Sequence, residues 1–210
     1  MTVFTAGMEF FVFHRDRPGS LPARDDLLQE HWSYMDRFAT GMIARGPVFT
    51  ADGETLVGSV HIVDLPDLTA GRAFALQEPY YQAGVFRDVL LRRWRNVLGR
   101  TMWEFPGGTV GEDDGGYLVL GLGTAPVPDS EATDEVLARD APVAYGPLLS
   151  DDGRTRVGTA ALVQAASAAQ AREVLDPDDG MNGDVDDDVD DDVDGYAVVE
   201  VYRWQFGGRR

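Results

Sequence analysis

Residues 46–60 read Gly46-Pro47-Val48-Phe49-Thr50-Ala51-Asp52-Gly53-Glu54-Thr55-Leu56-Val57-Gly58-Ser59-Val60. They recur as Gly146-Pro147-Leu148-Leu149-Ser150-Asp151-Asp152-Gly153-Arg154-Thr155-Arg156-Val157-Gly158-Thr159-Ala160. Seven of the 15 positions are identical at a constant offset of 100, and the apolar positions match. A repeat with Gly and Pro at equivalent places is an organising feature to be read before any single element. Each stretch is a strand, an Asp-Gly turn signal and a second strand. The closing segments also match, Leu91-Arg92-Arg93-Trp94 against Val201-Tyr202-Arg203-Trp204, now at offset 110. The longer offset places an insertion in the second copy, at the Asp-rich tract of residues 176–195.

Working outward, residues 9–14 (EFFVFH) form a strand rich in aromatic and β-branched side chains. Both of its faces are apolar, so it should be covered on both sides. Asp25 and Asp26 open a helix that runs to about residue 39, before Gly41. Strands at 42–49 and 56–64 flank the turn. Asp67 caps a helix over 68–77, and a strand at 85–94 ends the copy. The order is β-α-β-β-α-β, the ferredoxin-like arrangement. The second copy follows with strands at 117–122, 143–149, 156–163 and 196–206. Its helices are a short one capped by Asp129 and an Ala-rich one capped by Ser167. The expected organisation is α+β: residues 1–95 as one domain, 96–115 as a linker, and 116–210 as a second, degenerate copy. Trp103 and Phe105 in the linker should pack on a domain, because exposed aromatics are unfavourable.

The chain has 210 residues, no Cys, and a formal net charge of −18; all 18 basic residues are Arg. Without Cys there is no disulfide, thiolate nucleophile or Cys-ligated metal. Residues 106–210 carry −16 of the charge, and 11 Asp lie between Asp176 and Asp194. The acidity argues against nucleic acid as a partner. No apolar run reaches the roughly 20 residues of a membrane span. No secretory pattern opens the chain, so the expected location is cytoplasmic.

The stretch HWSYMDRFATGMIARGPVFTADGETLVGSVHIV, followed by a helix, EPYYQAGVF and a closing RRW, resembles the YCII-related (YciI-like) family over about residues 8 to 95. The resemblance implies a dimeric α+β barrel in which two ferredoxin-like sheets pack face to face. Here the two copies would build it within one chain, as a monomeric pseudo-dimer, with a homodimer of chains as the alternative. It also implies acid–base chemistry by a His with an Asp partner on small molecules, a chlorinated hydroxyhydroquinone among them. The His carries over to His31. The Asp falls on Glu78, one methylene longer, ahead of Pro79. The second copy has Glu131 opposite His31, and Asp176-Pro177 opposite Glu78-Pro79.

On their own chemistry, the candidates are these. His31 can take and give a proton near neutral pH, with Glu78 as its orienting partner; a surface or capping role is the plain alternative. His14 and His61 read first as structural and second as pocket-lining, with His61 on the face of Val57 and Ser59. Tyr34 and Tyr81 are candidates to line a pocket, against simple packing. Arg92 could hold a substrate carboxylate, against surface pairing with acids. No spacing supports a metal site, and no cofactor is expected. Asp190-Asp191-Asp192-Val193-Asp194-Gly195 opens like a calcium loop, but position 12 is Val201. Gly107-Gly108-Thr109-Val110-Gly111 lacks the Lys of a phosphate loop. The expected function is a cofactor-independent acid–base enzyme (lyase, isomerase or cyclase) on a small cyclic or phenolic metabolite. The alternative is a non-catalytic small-molecule-binding or accessory protein in a biosynthetic pathway.

Overall fold

The computed structural model describes residues 7–111, 114–128, 142–175 and 196–207. Its order begins with β1 (Met8–Asp16), α1 (Leu21–Asp26), α2 (Leu28–Asp36), β2 (Met42–Phe49) and β3 (Leu56–Leu65). Then come α3 (Leu68–Leu76), α4 (Pro79–Gln82) and β4 (Phe86–Trp94). After a connecting segment follow β5 (Gly116–Pro128), β6 (Ala144–Leu149), β7 (Thr155–Gln164), α5 (Ala168–Arg172) and β8 (Val198–Trp204). The helix expected from Asp129 and the Asp-rich tract fall outside the described residues, as do Glu131 and Asp176-Pro177.

All strands lie in one closed antiparallel barrel, in the order β1-β3-β2-β8-β5-β7-β6-β4. Strands β4-β1-β3-β2 make one half and β8-β5-β7-β6 the other, so each half has the same internal order. Within a half the ladders are long; Met8 to Arg15 pairs with Leu65 to Gly58, for instance. Between halves the seams are short. Only Val48↔Trp204 and Phe49↔Arg203 join β2 to β8, and Arg93↔Leu149 and Trp94↔Leu148 join β4 to β6.

Strand alternation explains the doubly apolar β1. Phe11 and Phe13 point into the barrel, where they meet Val60, Ile62, Leu118, Leu120, Leu148 and Leu162. Phe10 and Val12 point outward beneath the helices, against Met35, Val63 and Phe74. Phe10, Phe11 and Phe13 are all fully buried, and each contributes about 1.5–3 kcal/mol. The second half repeats the pattern with Tyr117 and Val119 under Ala171 and Leu175.

Two local expectations change. The first helix starts earlier, at Leu21, because Pro22 is tolerated in a first turn. It breaks at Leu27 (φ −103°), next to the Arg24 carbonyl, which accepts from the Tyr80 hydroxyl at 3.0 Å. Val57 does not share a face with Ser59. Gly58 pairs with Val48 and Leu56 with Phe49, so Val57 is skipped as a bulge and packs on the barrel interior. A bulge shifts the alternation by one residue. In the connecting segment Phe105 packs on the barrel core, while Trp103 is 40% exposed and Met102 is the sealed side chain instead. No helix among the described residues is long and apolar enough to cross a membrane.

The Gly-Pro pairs stand at the seams. A Cβ on Gly46 would run into the Gln205 carbonyl and the Trp204 indole, and one on Gly146 into the Arg95 carbonyl and the Trp94 ring. Trp94 Nε1 donates to the Gly146 carbonyl at 3.0 Å. Gly46→Ala and Gly146→Ala are therefore each expected to destabilise the fold by about 1–3 kcal/mol through overpacking. Equilibrium urea unfolding measures this directly.

Candidate active site

The break at Leu27 turns α2 so that Leu28, His31, Trp32 and Met35 share one face at the i, i+3, i+4, i+7 spacing of an amphipathic helix. That face closes a cavity of about 350 Å³ over the outer side of β2 and β3. The strands contribute Arg45, Gly46, Pro47, Leu56, Ser59 and His61, and α1 contributes Leu21 and Arg24. Tyr80 lines it from α4. The last wall comes from the other end of the chain, Phe206 and Gly207 beyond β8. That end is tied down by Gly207 N–H donating to the Arg45 carbonyl and Arg45 Nε to the Gly207 carbonyl, both at 3.2 Å.

His31 and Glu78 meet. His31 Nδ1 lies 2.6 Å from Glu78 Oε1. The second carboxylate oxygen accepts from the Tyr81 backbone N–H at 2.9 Å, which also caps α4. The Glu78 side chain is fully buried, and that of His31 is 12% exposed. Burial by itself pushes the Glu78 carboxyl up. The hydrogen bond and charge of His31 and the Tyr81 N–H outweigh it, and the carboxyl sits below its ordinary value. The His31 ring stacks on Tyr80 at 4.3 Å with 8° between planes. Tyr80 is held in turn by its bond to the Arg24 carbonyl, and burial lifts its phenol to about 12. Arg24 grips Asp16 with two bonds of 2.7 Å and donates to Ser59 Oγ at 3.1 Å.

The other candidate residues divide. His61 lines the cavity. His14 lies behind it and does not reach the cavity: its Nε2 donates to the Ala75 carbonyl at 2.9 Å, and its ring packs on Phe86. Tyr34 is also part of the packing, since its hydroxyl donates to the Ala73 and Phe74 carbonyls under α3. The Tyr81 side chain is 39% exposed outside the cavity, and only its N–H serves the site. Arg92 is on β4 and lines a separate surface depression with Arg72, Arg93 and Asp151. Arg24, Trp32, Arg45, Ser59 and Phe206 were not among the sequence candidates. The spacing of Trp32 and Met35 from His31 was a readable signal; no local pattern points to Phe206.

Among the described residues, the corresponding positions in the second half carry different side chains. Gly121 pairs with Thr159 as His14 pairs with Ser59. The Tyr196 ring occupies the space over Gly121, and its hydroxyl lies 2.6 Å from Thr159 Oγ1. Ala161 stands at the position matching His61.

The family model that matches this chain is that of the YCII-related domain, over residues 8–95. An uncharacterized protein of Haemophilus influenzae is 27% identical over 98 residues, which cover 43% of this chain and 100% of that protein. A 5-chloro-2-hydroxyhydroquinone dehydrochlorinase from Burkholderia phenoliruptrix AC1100, solved with 2,5-dihydroxybenzoquinone, is 27% identical. The alignment covers 44% of this chain and 99% of that one, with a TM-score of 0.41. An anthrone oxidase-like protein aligns over 99% of this chain and 94% of its own, at 12% identity and a TM-score of 0.48. The YCII-related match stops before the second half, yet Phe206 and Gly207 wall its cavity.

Burial holds the His14 imidazole down to about 4 and His61 well below its ordinary value, so both are neutral when folded. Unfolded, each takes a proton near pH 6.5. Between about pH 4 and 6.5 the unfolded chain binds more protons, and stability falls as the medium is acidified. Each histidine contributes a slope of about 1.4 kcal/mol per pH unit there. Urea unfolding across that range should show the slope, and His14→Gln should remove about one histidine's share.

Proposed function

We propose that this chain is a cofactor-independent acid–base enzyme of the lyase, isomerase or cyclase type, acting on a small cyclic or phenolic metabolite. His31 is the general base and acid, and Glu78 holds it. The observation that carries the reading is the 2.6 Å contact between His31 Nδ1 and a fully buried carboxylate at the wall of a concave cavity.

The chemistry follows from the tautomer. An ionised Glu78 accepts the Nδ1–H, which leaves the lone pair on Nε2 for the cavity. When Nε2 takes a proton, the imidazolium that forms is stabilised by the buried carboxylate beside it. The Tyr80 ring fixes the plane of the imidazole by stacking, and its phenol, shifted to about 12, stays protonated near neutral pH. The same His31 can return the proton to another atom, which is what elimination, isomerisation and cyclisation have in common. A cavity of about 350 Å³ lies at the small end of ligand pockets. Trp32, Tyr80 and Phe206 give it the flat apolar surface a ring needs.

The wider reading is of two tandem copies within a monomeric pseudo-dimer located in the cytoplasm, the first copy holding the site. The second copy's Phe206 and Gly207 complete the cavity as a partner subunit's residues would. The domains are residues 1–95 and 116–210, joined by 96–115.

The test is turnover. In a panel of small oxygenated ring compounds followed by chromatography, His31→Ala should lower the rate by at least about 100-fold. Its circular dichroism and unfolding midpoint should match the parent's. Glu78→Gln should retain part of the rate. Full activity in the His31→Ala variant rules the mechanism out.

A further inference from the structure

His61 stands beside the proposed base, and the acid–base step gives it no part. Its residue is 3% exposed, and its ring centroid lies 6.1 Å from that of His31 and 5.7 Å from Phe74. Nδ1 is enclosed and has no hydrogen-bond partner. Nε2 is not enclosed in this way, and the residue lines the cavity. A neutral imidazole carries one N–H and one lone pair. An orphaned, enclosed N–H is among the rarest features of a folded chain. The proton therefore belongs on Nε2, where a ligand can accept it.

We infer that the Nε2–H of His61 holds a carbonyl or phenolic oxygen of the substrate while His31 moves the proton. The inference rests on the acid–base reading above and deepens it by naming the substrate class: a ring carrying an oxygen acceptor near the proton to be moved. In the step, the C–H bond breaks, its proton goes to His31 Nε2, and the electron pair passes to the carbonyl oxygen. The enolate or phenolate so formed accepts a stronger hydrogen bond from His61, which keeps its own proton. Such a donor acts where charge develops. Burial, together with the positive charges of Arg45 and Arg24 and that of His31 once it holds the proton, keeps the ring from becoming a cation that would surrender its proton.

Two measurements test this without turnover. Long-range ¹⁵N–¹H spectra of ¹⁵N-histidine-labelled protein at pH 7, with His61 assigned from the His61→Gln variant, should show the neutral Nε2–H tautomer. An Nδ1–H tautomer or a doubly protonated ring overturns the inference. The second measurement is titration of the wild type with 4-nitrophenol and with 4-nitrotoluene, which lacks the hydroxyl. The phenol should bind about five- to tenfold more tightly, the worth of one hydrogen bond. His61→Leu should abolish that preference while leaving 4-nitrotoluene binding unchanged. His61→Gln, whose amide nitrogen projects to a similar place, should keep most of it. No preference in the wild type, or equal loss of both probes in His61→Leu, overturns the inference. His31→Gln should leave the preference in place. The acid–base reading thus falls on turnover alone, and the role of His61 falls on tautomer and preference.

Discussion

Everything in this protein depends on two places where backbones approach too closely for a side chain. At Gly46 and Gly146 the middle of β2 or β6 meets the residue that follows a tryptophan, Gln205 or Arg95. Only two residue pairs join the halves at each seam. Two-pair ladders supply little binding by themselves. The tryptophans do the rest: Trp94 and Trp204 are buried in the barrel core beside those glycines. Without the close approach the sheet would have open edges, with rows of unpaired N–H and C=O groups.

Closure also builds the cavity. The segment after β8 continues past the seam and lies against Arg45, so residues from the far end of the chain wall a site whose chemistry comes from the first half. The two histidines in that cavity sit about 6 Å apart in opposite circumstances. His31 has a buried carboxylate at its back, which accepts from Nδ1. His61 has no partner on its inner nitrogen, and burial first, with Arg45 and Arg24 nearby, favours its neutral form. The proposed base and the proposed neutral donor thus stand side by side in one fold layer, set apart by burial and partners rather than residue type.

Much of this was legible in the chain. The strand bounds at Met42–Phe49 and the caps of Asp67 and Ser167 follow from local rules, and both side chains accept the expected backbone N–H. The pairing of His31 with Glu78 was suggested by resemblance, and geometry brings them together across 47 positions. Other expectations failed for physical reasons. Tyr34 and His14 carry polar atoms that could serve a ligand, but nearby backbone carbonyls claim them. Val57 left its expected face because one unpaired residue shifts a strand's alternation. Arg24 carries no local signal, and the fold brings Asp16, Ser59 and Tyr80 around it.

The sequence by itself determined the element order, the two Gly-Pro hairpins and the identity of the titratable groups, because periodicity, turn chemistry and caps act over a few residues. Only the tertiary structure decided which of those groups share a cavity, which nitrogen of each imidazole is free, and that Phe206 closes the site. Those outcomes depend on contacts between residues 47 to 162 positions apart, and on burial that no local pattern encodes.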